Sequence, residues 1–358
     1  MNLSGNKIMK TVKQISQLIN SELDQINWNK KPHGLYEPIG YVLNMGGKRI
    51  RPTLTLMACN MFSDDVHQAL NSAIGLEIFH NFTLLHDDIM DKADVRRGEP
   101  TVHKKWDDNT AILSGDVMQI ASYQFIAKTP EPHLKRTLDL FSQTAAEICE
   151  GQQYDVEFEH RDKVNSDEYL EMIRLKTAVL LGAALQIGAW IGGANEKDAQ
   201  LLYDFGINIG LAFQLKDDLL DVYGNEATFG KKIGGDILAN KKTLLLIHAL
   251  QNAKNEDALE LENLLLLSID KEIENKFAKM TDILDLKEWM QLSAEKMATD
   301  KINAMTALFS RLGSKKICED KMQYFYDKAV AKLKKVSVLE NRKTELIKLA
   351  ENLMVRMD

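Results

Sequence analysis

The sequence predicts an all-α protein, and three observations carry that reading. All six prolines lie at or before Pro132, leaving the last 226 of 358 residues without one. After Gly235 a single glycine, Gly313, remains in a tract rich in Leu, Ala, Lys, Glu and Met, which reads as helix following helix. No segment alternates apolar and polar residues at the period of a strand, and no hairpin dipeptide joins apolar runs.

Taken in order, breaks between helices are expected at Lys30–Pro38, Gly46–Pro52, Arg96–Pro100, Thr129–His133 and Gly224–Gly235, where Gly, Pro, Asn and Asp concentrate. The stretch from Glu319 to Asp358 is expected to be helical, with Leu339, Leu346, Leu349 and Leu353 spaced among Lys, Arg and Glu. No linker, charge block or repeat divides the chain, so a single domain over residues 1–358 is expected. Residues Thr177 to Asn195 carry no charge over nineteen positions, long enough to span a bilayer. Gln186, four glycines and the lack of a second such segment favour a buried helix and no membrane span. The Gly188-x-x-x-Gly192 spacing fits close helix packing.

Composition narrows the function. The chain is 45% apolar and 27% charged with a formal charge of −7, an ordinary globular balance. A pI near 5.7 argues against nucleic acid as a partner. Cys59, Cys149 and Cys318 are too far apart for a Cys-based zinc site or a disulfide framework and fit the reducing cytoplasm. The N-terminus lacks the unbroken apolar run of a signal peptide.

One acidic motif occurs twice, as Asp87-Asp88-Ile89-Met90-Asp91 and as Asp217-Asp218-Leu219-Leu220-Asp221, starting 130 residues apart. On a helix the first and last Asp of D-D-x-x-D share a face. Two carboxylates one turn apart repel unless a cation sits between them. All-oxygen donors suit a hard ion such as Mg²⁺, which shares its shell with water and substrate phosphate. Each copy follows a mostly apolar run, which a solvated surface helix does not need. Basic loops alternate with these clusters: Gly46-Gly47-Lys48-Arg49-Ile50-Arg51-Pro52, Arg96-Arg97-Gly98, Gly230-Lys231-Lys232 with Gly234-Gly235-Asp236, and Lys241-Lys242-Thr243. Gly beside Lys or Arg lets backbone approach a phosphate that the side chains neutralise. Acidic metal ligands alternating with cationic loops describe a site for diphosphates.

The set GGKRIRP, LLHDDIMD…RRG and FQLKDDLLD…GK…GGD…KKT resembles the trans-isoprenyl diphosphate synthases, the polyprenyl synthetase family, over roughly Tyr36 to Thr243. The resemblance implies an all-α bundle of the isoprenoid synthase type around a central cavity, usually as a homodimer. It implies that the two clusters face each other across the cavity mouth and hold three Mg²⁺ ions on the diphosphate of an allylic substrate. By match, Asp87, Asp91 and Asp217 are the chief ligands, with Asp88 and Asp221 supporting or water-mediated. Lys48, Arg51, His80 and Arg97 match the ligands of isopentenyl diphosphate. A lone core His is often only hydrogen-bonded, but His80 sits two turns before Asp87 on the same stripe. Arg96, Lys231 and Lys241 match the grip on the allylic diphosphate, with Lys232 and Lys242 as alternatives in register. Lys176, Thr177 and Gln214 match the residues beside the allylic cation. Gln214 lies on the face of Asp217 and Asp221, and Thr177 opens the uncharged helix, expected as cavity wall.

The implied reaction is ionisation of the allylic diphosphate, attack by the double bond of isopentenyl diphosphate, and loss of a proton to the released diphosphate. No Ser-His-Asp or Cys-His arrangement is present that would call for a protein nucleophile. Chain length in the family is governed by the helix before the first cluster. Here Phe82 stands five residues before Asp87 and Thr83 four before, with no insertion in the cluster. That pattern resembles geranylgeranyl (C20) synthases, leaving farnesyl (C15) and longer products open. A class I terpene cyclase is the rival enzyme, opposed by the second DDLLD and by GGKRIRP; a catalytically silent subunit is the non-enzymatic rival, opposed by two complete clusters.

Overall fold

The computed structural model describes residues 9–225, 233–267 and 286–355. The expected all-α class holds. The helices are α1 (Val12–Asp24), α2 (His33–Asn44), α3 (Ile50–Phe62), α4 (Leu70–Met90), α5 (Val102–Lys105), α6 (Asp108–Ile126), α7 (Leu134–His160), α8 (Ser166–Ile173), α9 (Val179–Gly192) and α10 (Glu196–Tyr223). After these come α11 (Gly235–Leu238), α12 (Leu244–Asn252), α13 (Glu256–Leu266), α14 (Leu286–Arg311), α15 (Ser314–Lys334) and α16 (Glu340–Val355).

The chain forms two compact units. The first comprises Met1–Ile148, Ala178–Gly210 and Lys328–Glu351; the second comprises Cys149–Thr177, Leu211–Asp327 and Asn352–Asp358. In the first, α4 packs on α6 and α3 packs on α9. Glycine makes both contacts possible. A Cβ on Gly188 would lie 2.0 Å from the Thr55 carbonyl oxygen, and one on Gly192 would lie 2.6 Å from that of Cys59. A Cβ on Gly75 would lie 2.9 Å from the Ser122 carbonyl oxygen. The uncharged segment therefore lies in the core: the window of Ser166–Gly192 apolar enough to cross a membrane is 83% buried. In the second unit α12 and α13 pack on α14, around Leu215, Leu245, Leu308, Phe309 and Cys318.

Four local expectations are revised. Arg96–Pro100 is not only a loop: β1 (Val95–Arg96) pairs antiparallel with β2 (Glu99–Pro100). Arg97 and Gly98, at φ 55° and 85°, supply the two left-handed turn residues such a hairpin needs. Pro38 lies inside α2 rather than before it, so that helix forgoes one backbone bond. The C-terminal stretch is two helices, α15 and α16, separated at residues 335–339. Thr177 does not open the uncharged helix; it lies in a π-helical turn, Arg174–Ala178, between α8 and α9.

Because the Thr55 carbonyl leaves no room for a methyl group, Gly188→Ala is expected to destabilise the protein by about 1–3 kcal/mol. Gly34→Ala, with nothing within 4 Å, is the matched control expected to change little. Chemical denaturation of the two variants checks this.

Candidate functional site

In the first unit the site begins where α4 ends. The Asp91 amide bonds the Asp87 carbonyl at 2.8 Å, so helical geometry continues through the cluster and Asp87 and Asp91 share a face. Asp88 points away and is buried. Arg96 of β1 grips it: Nε lies 2.8 Å from both carboxylate oxygens, and a terminal nitrogen lies 2.7 Å from Oδ1. The same guanidinium is 3.8 Å from Asp87 Oδ2. Burial raises the Asp88 carboxyl while Arg96 opposes that rise.

The hairpin turn carries Arg97 onto the loop before α3, where it donates to the Gly46 carbonyl. A Cβ on Gly47 would lie 2.8 Å from Arg97 Cζ, and the φ of 129° at Gly47 would strain any side chain there. Lys48 on that loop is exposed. Arg51, the second residue of α3, donates to His80 Nε2 at 3.0 Å. Arginine has no acceptor, so His80 Nε2 must be unprotonated and the imidazole neutral. Burial, and then the charges of Arg51, Arg97, Arg96 and Arg49, hold His80 well below the usual histidine range. Burial also brings Arg51 down to about 10 against the pull of Glu77. Arg51 Nε is buried with no hydrogen-bond partner. Arg51 and Arg97 thus stand about a neutral His80, with Arg96 and Arg49 also near enough to act on it.

Phe82 is buried on the same helix. Its ring lies 5.4 Å from Phe79 and 4.8 Å from His86, the latter edge-on, and Phe79 in turn meets Phe141 edge-on at 5.1 Å. Thr83 donates to the His80 carbonyl at 2.8 Å.

The second unit holds the other cluster. Asp217 and Asp221 are half-exposed on α10, whereas Asp218 is buried. Asp221 Oδ2 accepts from the Asp236 amide at 3.0 Å, tying the cluster to the Gly234–Asp236 turn. Asp218 accepts from Tyr169 Oη and, at 3.3 Å, from Gln214 Nε2. Thr177 donates to Gln214 Oε1 at 3.3 Å. Burial, and then the charge of Asp236, push the Asp218 carboxyl up to about 8. Thr177, Gln214, Asp218 and Tyr169 therefore form one hydrogen-bonded chain along α10.

Lys176 lies in the π turn, against which α7 presses: a Cβ on Gly151 would lie 2.3 Å from the Lys176 amide nitrogen. π turns frequently mark functional positions. Its ammonium is 2.7 Å from Asp155 Oδ2, and Lys241 lies 3.7 Å from the same oxygen. The two lysines, first desolvation aside, hold Asp155 below the usual carboxylate range. Of the pair Lys241 and Lys242, it is Lys241 that joins Lys176. Lys231 and Lys232 lie outside the described residues.

Sequence reasoning missed Asp155, Tyr169, Arg49 and Glu77. The signal for Asp155 was indirect, since two lysines meant to converge on one anion need a carboxylate when it is absent. Arg49 stood within GGKRIRP but reads there as one more surface cation.

The polyprenyl synthetase family model matches residues 32–284. The geranylgeranyl diphosphate synthase of Methanosarcina mazei is 38% identical over 252 residues, 70% of this chain and 78% of that protein. A crystal structure of a geranylgeranyl pyrophosphate synthase superposes with a TM-score of 0.83 at 43% identity, covering 98% of this chain and 100% of the other. A polyprenyl synthase of Caulobacter crescentus, complexed with calcium and isoprenyl diphosphate, gives a TM-score of 0.78 at 25% identity over 99% of this chain and 100% of its own.

If His80 is neutral in the folded state, its unfolded counterpart takes up a proton as pH falls below about 6.5 and the folded one does not. Stability is then complete above that pH and falls below it, until pH reaches the depressed folded value, at up to about 1.4 kcal/mol per pH unit. His80→Gln, which keeps an acceptor for Arg51, is expected to remove this part of the acid sensitivity. Denaturant titrations of both proteins at pH 7.5 and 5.5 measure the difference.

Proposed function

We propose, on the premise that the chain belongs to the polyprenyl synthetase family, that it is a Mg²⁺-dependent prenyltransferase. It condenses isopentenyl diphosphate with an allylic diphosphate and stops chiefly at geranylgeranyl diphosphate, C20. The observation that carries this reading is the pairing on α4 of two unlike anion-handling sites. Around His80 stand Arg51 and Arg97, with a buried Arg51 Nε that no protein group satisfies. Such a pocket suits a diphosphate bound without metal, the role of isopentenyl diphosphate. Two turns on, Asp87 and Asp91 present carboxylates on one face, which suits a diphosphate bound through cations.

The residues present fit Mg²⁺. Asp87, Asp91 and Asp217 offer only oxygen donors, and among the described residues no three acidic, His or Cys side chains converge into a ready-made cage. Mg²⁺ prefers that arrangement, taking one or two carboxylates and completing its shell with water and substrate phosphate. Asp87, Asp91 and Asp217 would hold the ions, three by the family resemblance, whose charge would stabilise a departing diphosphate. Asp88 and Asp221 act in support, Asp88 by holding Arg96 and Asp221 by fixing the Gly234–Asp236 turn. Arg96 and Lys241, with Lys231, would grip the allylic diphosphate, and Lys176 would stand beside the allylic cation. Thr177 and Gln214 present fixed dipoles beside the reacting carbon, backed by Asp218 and Tyr169. Phe82, wedged between Phe79 and His86, sets the depth available to the growing chain.

The family match runs through residues of both units, which supports treating them as one functional domain. A homodimer is supported by the apolar outer face of α6, where Ile112, Leu113 and Ile120 are 43%, 56% and 59% exposed. Free Cys59, Cys149 and Cys318 support residence in the reducing cytoplasm.

Incubation with Mg²⁺, labelled isopentenyl diphosphate and each allylic starter from C5 to C15, followed by sizing of the dephosphorylated alcohols, is expected to give C20. Phe82→Ala is expected to lengthen the product by at least one isoprene unit, whereas a C15 product would discard the Phe82 assignment. No condensation with any starter would overturn the enzymatic reading. Chelation should abolish turnover and Mg²⁺ restore it, and Asp87→Asn should lower kcat about a hundredfold or more.

A further inference from the structure

We propose that Arg49, buried between α1, α2 and α4, is the positioning residue of the isopentenyl diphosphate site. Its ion pair with Glu77 sets where Lys48 and Arg51 point. The proposal rests on the isopentenyl diphosphate reading of those two neighbours.

Arg49 is the residue that starts α3, and it is not placed as an ordinary start. Its φ is 47°, a left-handed conformation that residues with a Cβ avoid, and no side chain caps the helix. Its carbonyl nevertheless accepts the first intrahelical bond, from the Thr53 amide at 3.1 Å. The guanidinium holds it there. One terminal nitrogen donates to Glu77 Oε1 at 2.8 Å, the other to the Leu43 carbonyl at 2.6 Å, and Nε reaches Asn20 Oδ1 at 3.5 Å. Arg49 is 7% exposed and Glu77 2%, so this charge faces its partner and is not offered to solvent. Asn81 Nδ2 braces Glu77 Oε1 at 3.1 Å.

The consequence is geometric. Two rungs join the start of α3 to α4: Arg49 to Glu77, and Arg51 to His80. The first is buried and anchored on three elements; the second carries the buried, unpartnered Arg51 Nε. The left-handed turn at Arg49 sends Lys48 outward while α3 begins at Ile50. Arg49 thus touches no substrate, but it fixes both cations that do.

A lysine at 49 keeps the charge and loses the planar fork, so it cannot serve both Glu77 and Leu43 in the same geometry. For Arg49→Lys, KM for isopentenyl diphosphate is expected to rise about tenfold or more while KM for the allylic substrate stays within about twofold. Single removal of either charge leaves the other buried alone, so the second variant replaces both, as Arg49→Met with Glu77→Leu. Apolar replacement of a buried pair commonly preserves folding, and the same selective loss is expected. Steady-state kinetics in both substrates, with a melting curve for each variant, decide the matter. A folded variant with unchanged KM for isopentenyl diphosphate, or with both KM values raised equally, overturns the proposal; if the double variant does not fold, Arg49→Lys decides by the same ratio. A wild-type protein that shows no saturation by isopentenyl diphosphate would instead refute the underlying functional reading.

Discussion

The grip of Arg96 on Asp88 is the interaction from which the first unit's site is built. A carboxylate buried at the end of an apolar helix has to be paired or protonated, because burial penalises its charged form. Here three contacts of 2.8 Å or less come from one guanidinium. That pairing pins the hairpin of Val95–Pro100 to the end of α4. The hairpin turn then carries Arg97 against the Gly46 carbonyl and over Gly47, whose φ of 129° suits glycine. The loop so held leads directly into Arg49, Arg51 and α3. One buried acid thus orders a chain of cations, while its neighbours Asp87 and Asp91 are left on the outer face for other chemistry.

The parts legible in the sequence share one property: they are local. Helical geometry makes Asp87 and Asp91 neighbours whatever the rest of the chain does, and the same holds for Asp217, Asp221 and Gln214. The glycine stripe of α9 was legible because the absence of Cβ is itself the packing device, as the approach of Gly188 and Gly192 to α3 shows. What was not legible depends on partners distant in sequence. Asp155 meets lysines 21 and 86 residues later, and nothing within its own turn marks it out. Glu77 lies within an apolar helix, where only tertiary pairing with Arg49 explains its burial. The hairpin escaped because two-residue strands carry no periodicity; only Arg97-Gly98 signals the turn. The π turn at Arg174–Ala178 escaped because no local signal in the sequence marks it, although α7 approaches it closely at Gly151.

The two kinds of charge excess on α4 explain why one diphosphate would need metal and the other would not. Around His80 the surplus is positive. The imidazole is kept neutral by the arginine it accepts from, and Arg51 is brought down to about 10 by burial. Keeping a desolvated guanidinium with an unsatisfied Nε is unfavourable in the free protein. An anion that supplied the missing acceptor would recover that cost on binding, so the pocket is most stable when filled. Asp87 and Asp91 instead present two carboxylates on one face, which would repel a diphosphate arriving alone. Arg96 stands 3.8 Å from Asp87 and bonded to Asp88, so its charge is already committed and cannot reverse that sign. Only added cations can. The two ends differ in what the chain pairs there: Glu77 holds Arg49 beside the arginines around His80, while Arg96 holds Asp88 beside the carboxylates of Asp87 and Asp91. A helix that presents arginines around His80 and carboxylates from Asp87, two turns on, can hold two diphosphates of like charge by opposite means.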